Sequence, residues 1–171
     1  GNDVVLTIDS KIQNIVEREM EEMMLKYDAN SALALAMDPN TGAILSMVSK
    51  PHFDPNTYQE YSTEVLNRNL PIWMSFEPGS TFKIVAAYAP ALDAAGMSLA
   101  STQYDGPYIY EDGLDMRLVN NWSGDTYEGW TNIRRGIQQS KNVVAVKTYT
   151  QNGSALGLSY LDKFGFTTIQ T

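Results

Sequence analysis

EPGSTFK, residues 77–83, leads directly into the apolar run IVAAYA, residues 84–89. The proline and glycine at positions 78 and 79 predict a turn, and the run after them predicts a buried helix that begins at Ser80. Residues three apart on a helix lie on one face with their Cβ atoms about 5–6 Å apart, so the hydroxyl of Ser80 and the amine of Lys83 are expected to share a pocket. This spacing indicates a serine nucleophile with a lysine beside it.

The chemistry requires a base next to the serine, because a serine hydroxyl is a weak nucleophile until a neighbour takes its proton. Lys83 is the nearest candidate, yet a free lysine has a pKa of about 10.4. Burial between Phe82 and Ile84, or a second cation nearby, would lower that pKa toward neutrality. The backbone N–H of Ser80 would have no partner within the helix and would favour the negative charge on a carbonyl oxygen under attack.

SKN, residues 140–142, is the second element that bears on this chemistry. Ser140 could relay a proton, and the amide of Asn142 could orient a substrate carbonyl or the lysine. Taken alone, this triplet is more simply explained as a helix end followed by an asparagine cap. The first element alone is likewise more simply a helix N-cap with a solvated lysine. A Ser-x-x-Lys tetrad followed by a Ser-x-Asn triplet is far more specific, because together they resemble the signature of penicillin-binding proteins and class A β-lactamases.

The chain as a whole resembles the transpeptidase domain of penicillin-binding proteins, the peptidoglycan D,D-transpeptidases. The resemblance covers nearly the whole chain and includes, besides residues 77–83, four further segments: DVVLTID at 3–9, AMDPNTGAILSMV at 36–48, PHFDPN at 51–56 and NRN at 67–69. Residues 1–90 look most like the class B and sporulation-type enzymes. SKNVVAVK at 140–147 is closer to the bifunctional class A type, so the subclass stays open.

The resemblance implies an α+β fold, the penicillin-binding-protein and β-lactamase-like transpeptidase fold, over a single domain of residues 1–171. The family's third element, Lys-Thr-Gly on a core strand, is expected far downstream of Ser-x-Asn. KTY at residues 147–149 is no substitute, because it comes too soon, lacks the glycine and lies in a predicted helix. We therefore expect the front part of the domain, truncated before the Lys-Thr-Gly strand, with an exposed sheet edge that the remaining part or another chain could cover.

The resemblance also implies roles for four residues. Ser80 would attack the penultimate D-alanine carbonyl of a peptidoglycan stem peptide, and the amine of a second stem peptide would resolve the acyl-enzyme into a crosslink. Lys83 would be the base, Ser140 the proton relay and Asn142 the positioning group, with no metal or organic cofactor. β-Lactam antibiotics would acylate Ser80, although this chain alone is expected to be inactive or weakly active.

Two alternatives stay open at this point: a serine enzyme that hydrolyses β-lactams, and a β-lactam-binding or sensor module that does not turn over.

The composition argues against several other kinds of function. The net charge is −8 with no basic run, which argues against nucleic acid as a partner. No cysteine is present and His52 is the single histidine, so thiol catalysis, a zinc site and a Ser-His-Asp triad are not expected. The resemblance implies an extracytoplasmic location in the cell envelope, with an upstream membrane anchor on the parent protein.

The pattern along the chain predicts a small α+β lobe followed by a mostly helical one. SKIQ at 10–13 resembles a capping box at the start of a helix, and residues 32–37 and 43–48 predict a hairpin. Residues 50–79 predict a loop with Trp73 and Phe76 buried, and Pro90 is expected to end or bend the nucleophile helix.

Residues 101–130, rich in glycine, aspartate, asparagine and aromatic residues, predict a long loop. Such a loop either lines a groove for sugar or peptide or packs against its own domain. Three helices are then predicted: one opened by Thr131, one capped by Asn142, and one bracketed by Gly153 and Gly165.

Overall fold

Helices and short antiparallel sheets make up the residues that the computed structural model describes, 1–113 and 115–168, which confirms the predicted α+β class. The chain divides into two units, Gly1–Phe76 and Glu77–Thr171. That both belong to one transpeptidase domain stays a prediction, and residues 169–171 of the predicted range lie outside the described residues. No helix of the described ranges is long and apolar enough to cross a membrane.

The first unit begins with α1, Ser10–Tyr27. Its N-cap is Asp9 and not the predicted serine, because Asp9 Oδ1 accepts the backbone N–H groups of Lys11 (2.9 Å) and Ile12 (3.0 Å). Gln13 does not complete a capping box. Its side chain instead reaches the backbone of Met47, accepting from the N–H at 2.9 Å and donating to the carbonyl at 3.1 Å.

The predicted hairpin is confirmed as β1, Ala32–Met37, and β2, Ile44–Lys50, which pair antiparallel with Ala32 opposite Lys50. Gly42 makes the turn possible, since its φ of 74° favours glycine. One edge of β2 is covered by the segment before α1, where the N–H of Asp9 donates to the carbonyl of Leu45 at 2.9 Å. The opposite edge of the sheet, along β1, has no further strand within the described residues.

Three short helical segments follow: a 3-10 segment at Pro55–Glu60, α2 at Thr63–Asn67 and α3 at Leu70–Trp73. The prediction that Trp73 and Phe76 are buried is wrong, since they are 72% and 64% exposed. The helix α3 is a single turn that contacts the hairpin through Leu70, whose N–H donates to Ser49 Oγ at 3.2 Å. So short a helix leaves the side chain of Trp73 in solvent.

The second unit begins with a helical run over residues 79–93, made of a 3-10 turn at Gly79–Thr81, a π-helical turn at Ile84–Tyr88 and α4 at Ala89–Asp93. The run continues past Pro90 to Asp93, so the alternative that Pro90 ends the helix is wrong. In the π turn the N–H of Ala89 bonds to the carbonyl of Ile84, five residues back. A π turn shifts the hydrogen-bond pattern by one residue just before the proline. The helix can therefore continue, although Pro90 has no N–H to donate.

The prediction of a long loop at residues 101–130 is wrong, because four strands lie in or overlap this stretch. They are β3 at Thr102–Asp105, β4 at Tyr108–Asp112, β5 at Asp115–Val119 and β6 at Gly129–Asn132. Strand β3 pairs with β6 and β4 with β5, both antiparallel. The aromatic residues explain the strands, since Tyr104 and Trp130 face each other across β3 and β6 with ring centroids 5.7 Å apart.

Three helices complete the unit: α5 at Ile133–Gln138, α6 at Asn142–Asn152 and α7 at Ser154–Lys163. The helix α5 is capped by Asn132 and not opened by Thr131, whereas α7 lies between Gly153 and Gly165 as predicted. The core of the unit joins the 79–93 run to α5 and α6 through four side chains that are at most 3% exposed: Tyr88, Ile133, Val144 and Ala145. Burying an isoleucine or valine contributes about 1.5–3 kcal/mol. This packing places the start of α6 beside the 79–93 run.

Candidate active site

Lys83 is the centre of the candidate site. Its Nζ donates to the carbonyl of Ser140 at 2.8 Å, to Ser140 Oγ at 3.1 Å and to Asn142 Oδ1 at 2.6 Å. The structure therefore brings together three of the four residues that the sequence singled out, although the two segments are distant in sequence. The packing of α6 against the 79–93 run makes this possible.

Ser80 lies one turn before Lys83, in the 3-10 turn Gly79–Thr81, and is exposed. The turn is shaped by Gly79, whose φ of 59° favours glycine, and by Thr81 Oγ1, which donates to the carbonyl of Pro78 at 2.6 Å. Within the described part of the chain, the hydrogen bonds of Lys83 Nζ reach residues 140 and 142 and none reaches Ser80. A pocket shared by the hydroxyl and the amine stays a prediction.

The electrostatics of Lys83 suit a proton acceptor. Burial of the amine lowers the pKa of Lys83 below the ordinary value of 10.5, and no charged neighbour among the described residues adds to this effect. When protonated, the ammonium uses its three N–H bonds on three oxygens. When neutral, it can donate to the two carbonyl-type oxygens and accept a hydrogen bond from Ser140 Oγ. Lys83 and Ser140 can therefore exchange a proton.

The Ser140 backbone is held in an unusual conformation. Its φ of 49° lies in the left-handed region, which costs a non-glycine residue about 1–2 kcal/mol. Two hydrogen bonds hold the segment after α5: the N–H of Ser140 donates to the carbonyl of Ile137 at 3.1 Å, and the N–H of Lys141 to that of Gly136 at 2.9 Å. This conformation lets both oxygens of Ser140 contact the lysine.

Asn142 is the first residue of α6 and not its cap, since Lys141 occupies the N-cap position. The amide of Asn142 is committed on both sides: Oδ1 accepts from Lys83, and Nδ2 donates to the carbonyl of Asn120 at 2.6 Å. The contact to Asn120 was not predicted from the sequence. The prediction that Asn142 caps the helix is wrong, because its side chain makes these tertiary contacts instead.

A cavity of about 570 Å³ adjoins the site. Gly79, Lys83 and Asn142 lie on its wall together with Tyr110 and Arg117 of the β4–β5 hairpin. Its other wall residues are largely apolar: Phe82, Ala86, Ala87, Leu118, Val119, Asn120, Ala145, Val146 and Tyr149. A larger cavity of about 890 Å³ lies in the first unit and contains none of the predicted site residues.

Three charged residues near the site were not predicted from the sequence: Lys141, Asp105 and Glu128. Lys141, between the two predicted residues, is 4% exposed and pairs with Asp105 and Glu128. A lysine followed directly by the apolar helix NVVAV is the signal that could have indicated its burial.

No group of three histidine, cysteine, aspartate or glutamate residues in the described ranges is arranged to hold a metal ion.

Comparison with known proteins places the chain in a family. The family model described as "Penicillin binding protein transpeptidase domain" matches residues 32–171. Stage V sporulation protein D of Bacillus subtilis (strain 168) is 39% identical over 167 residues, 97% of this chain and 25% of that protein. Peptidoglycan D,D-transpeptidase FtsI of Escherichia coli (strain K12) is 37% identical over 165 residues, 96% of this chain and 26% of that protein. The chain thus spans about a quarter of the length of these relatives. On the match to residues 32–171, the chain belongs to the penicillin-binding-protein transpeptidase family.

Proposed function

We propose that this chain carries part of the acylation site of a peptidoglycan D,D-transpeptidase, with Ser80 as the nucleophile. The observation that supports this most directly is the position of Lys83 Nζ, within hydrogen-bonding distance of both Ser140 and Asn142. A relative named as a peptidoglycan D,D-transpeptidase, 37% identical to this chain, adds support for the substrate class.

In the proposed acylation, Ser80 Oγ attacks the carbonyl carbon of the penultimate D-alanine while its proton passes to neutral Lys83. The Ser80 N–H near the start of the helical run would stabilise the oxyanion. The proton then passes from Lys83 through Ser140 Oγ to the nitrogen of the terminal D-alanine, which leaves as the amine. The geometry supports the relay, because Ser140 Oγ can donate as well as accept at 3.1 Å from the lysine.

In the proposed second step, the amine nitrogen of another stem peptide attacks the acyl carbonyl carbon and the ester bond to Ser80 Oγ breaks. The proton that the amine loses returns to Ser80 Oγ through Lys83, and the new amide bond is the crosslink. The cavity beside Lys83 and Asn142 is the proposed place for part of the stem peptide, since its mixture of apolar side chains with Arg117 and Tyr110 suits a peptide. A β-lactam would enter the first step and leave Ser80 acylated. Such a function places the parent protein in the cell envelope, outside the cytoplasm.

The proposal is tested by exposing the chain to a labelled penicillin and following the intact mass for several hours at pH 7 and pH 9.5. We expect slow labelling at pH 7, faster labelling at pH 9.5, and a single adduct at Ser80. Ser80→Ala should take up no label. Labelling of another residue, equal labelling of Ser80→Ala, or no adduct at pH 9.5 would contradict the proposal.

The same mass series separates the alternatives. Rapid loss of the adduct with release of hydrolysed penicillin would identify a β-lactam-hydrolysing enzyme. A persistent adduct that a D-alanine-type amine acceptor does not remove would identify a binding or sensor module. Removal of the adduct by such an acceptor, with formation of the transfer product, is the result that the transpeptidase proposal predicts.

A further inference from the structure

A buried ion network lies directly behind the Ser-Lys-Asn triplet. The side chain of Lys141 is 5% exposed, and its Nζ lies 3.3 Å from Asp105 Oδ2 and 3.2 Å from Glu128 Oε1. The Asp105 side chain is fully buried. Ser140 and Asn142 contact Lys83, whereas the residue between them is anchored to two other segments of the chain.

Asp105 contacts all the other members of this network. Its Oδ2 also accepts the backbone N–H of Glu128 at 3.0 Å, and its Oδ1 accepts from Asn121 Nδ2 at 2.8 Å. Asn121 Oδ1 in turn accepts the backbone N–H of Val143 at 3.3 Å. The carboxylate of Asp105 therefore links Lys141 to Asn121, which is bound to Val143, and to the backbone of Glu128.

These bonds hold three successive residues of the chain. Lys141 is bound to Asp105, Asn142 to the carbonyl of Asn120, and Val143 to Asn121. The residue before them, Ser140, has a φ of 49°. A non-glycine residue keeps such a backbone only where the surrounding structure over-determines it. The network supplies that constraint one residue away.

Stability alone does not require an ion pair here. Buried pairs can often be replaced by apolar side chains of similar volume without loss of stability, because desolvation offsets the attraction between the charges. The ion pairs add a constraint that apolar contacts lack, because the ammonium lies 3.3 Å from Asp105 Oδ2 and 3.2 Å from Glu128 Oε1 at the same time.

We propose that Lys141, through its ion pairs with Asp105 and Glu128, is a positioning residue that aims Ser140 Oγ and Asn142 Oδ1 at Lys83. The inference rests on the proposed function of the site. Lys141 is not among the residues that line the cavity, and within the described residues the ion pairs of its side chain reach Asp105 and Glu128 and not Lys83. It therefore acts through its two neighbours.

The test compares Lys141→Met, which keeps the length of the side chain without the charge, with Lys141→Arg, whose guanidinium can still bind two carboxylates. Ile133→Val serves as the control, since it removes a methylene from the fully buried core without touching the network. All proteins are studied at temperatures where thermal unfolding curves show the same folded fraction.

The first readout is the side-chain amide signal of Asn142 in a ¹⁵N NMR spectrum, which reports the bond to Asn120. We expect Lys141→Met to shift or broaden this signal, and Lys141→Arg and Ile133→Val to leave it in place. An unchanged signal in Lys141→Met would overturn the inference. Failure of Lys141→Met to fold would be answered by Lys141→Gln, which also removes the charge and is judged by the same signal.

The second readout is the rate of Ser80 labelling by penicillin at pH 9.5. Lys141→Met is expected to be at least tenfold slower than the starting chain, and Lys141→Arg within about threefold. A rate within twofold for Lys141→Met would overturn the positioning role. If the starting chain is not labelled at all, the proposed function fails, and the Asn142 signal alone decides whether Lys141 positions the triplet.

Discussion

Ser140 Oγ lies 3.1 Å from Lys83 Nζ, and the same lysine donates to the carbonyl of Ser140 at 2.8 Å. The two contacts differ in kind, because the carbonyl can only accept whereas the hydroxyl can accept from an ammonium and donate to a neutral amine. The hydroxyl is therefore the contact through which a proton can leave Lys83, and the carbonyl holds the amine in place for it.

Replacing Ser140 by alanine and by glycine separates this chemistry from backbone strain. Both variants remove the hydroxyl, and we expect both to label at Ser80 at least tenfold more slowly than the starting chain, because the relay is lost. Glycine adopts the φ of 49° without steric cost. Chemical denaturation should therefore find Ser140→Gly more stable than Ser140→Ala by about 0.5–1 kcal/mol.

Two results would contradict this account of Ser140. Labelling of Ser140→Ala at the rate of the starting chain would show that the hydroxyl is not needed. Equal stability of the alanine and glycine variants would show that residue 140 is not strained.

Asn142→Asp tests the electrostatic environment of Lys83. A carboxylate in place of the amide oxygen at 2.6 Å would favour the ammonium form and raise the pKa of Lys83. We expect labelling of Ser80 at pH 8 to fall by about tenfold or more, with partial recovery at higher pH. The control is Gln138→Glu, which adds the same charge at an exposed position of α5. If labelling of Ser80 fell equally in both variants, the change in net charge would explain the loss. That result would contradict an effect of the contact between residue 142 and Lys83.

Gly136→Ala tests the packing that brings α5 and α6 together. In a helix this substitution usually stabilises, but a Cβ at position 136 would lie 2.6 Å from Val144 Cγ1 and 3.2 Å from the Tyr88 hydroxyl. We expect the free energy of unfolding to fall by about 1–3 kcal/mol, as for other overpacked cores. Gln138→Ala, on the exposed face of the same helix, should change it by less than about 0.5 kcal/mol. Stabilisation by Gly136→Ala would show that the two helices are further apart than described.

Tyr88→Phe tests a buried hydroxyl in the same core. Tyr88 is 2% exposed, its OH has no hydrogen-bond partner within the described residues, and burial raises its pKa well above the ordinary value. Removing the hydroxyl is expected to raise the free energy of unfolding by roughly 1 kcal/mol. The matched change Tyr160→Phe should lower it by about 0.5–1.5 kcal/mol, because the hydroxyl of Tyr160 donates to Asp93. Thermal unfolding of the two variants should therefore shift in opposite directions.

The elements that local sequence determines were predicted well. The hairpin follows from two alternating segments around a turn with glycine, and α7 follows from the glycines at its ends. Lys83, Ser140 and Asn142 could be identified because short motifs specify them, whereas their hydrogen bonds depend on how α6 packs against the 79–93 run.

Most of the errors arose where tertiary contacts decide the structure. Strands β3 and β6 are stabilised by pairing partners such as Tyr104 and Trp130 that lie far apart in sequence. Strands β4 and β5 form a local hairpin, which was missed because the stretch is rich in glycine and aspartate. Pro90 stays within its helix because a π turn precedes it. The ion pairs of Lys141 could not be predicted, since its two carboxylate partners come from other segments.

In the proposed acylation neutral Lys83 takes the proton of Ser80, so the rate of acylation should follow the titration of Lys83. Because burial lowers the pKa of Lys83, the neutral fraction should rise with pH and reach one half below the ordinary value of 10.5. The measurement is the rate of Ser80 labelling from pH 6 to 10.5, beside an NMR titration of the Lys83 side chain labelled with ¹³C at Cε. We predict that the rate rises with pH with the same midpoint as the titration. A rate independent of pH, or a midpoint that differs from that of Lys83, would contradict the account.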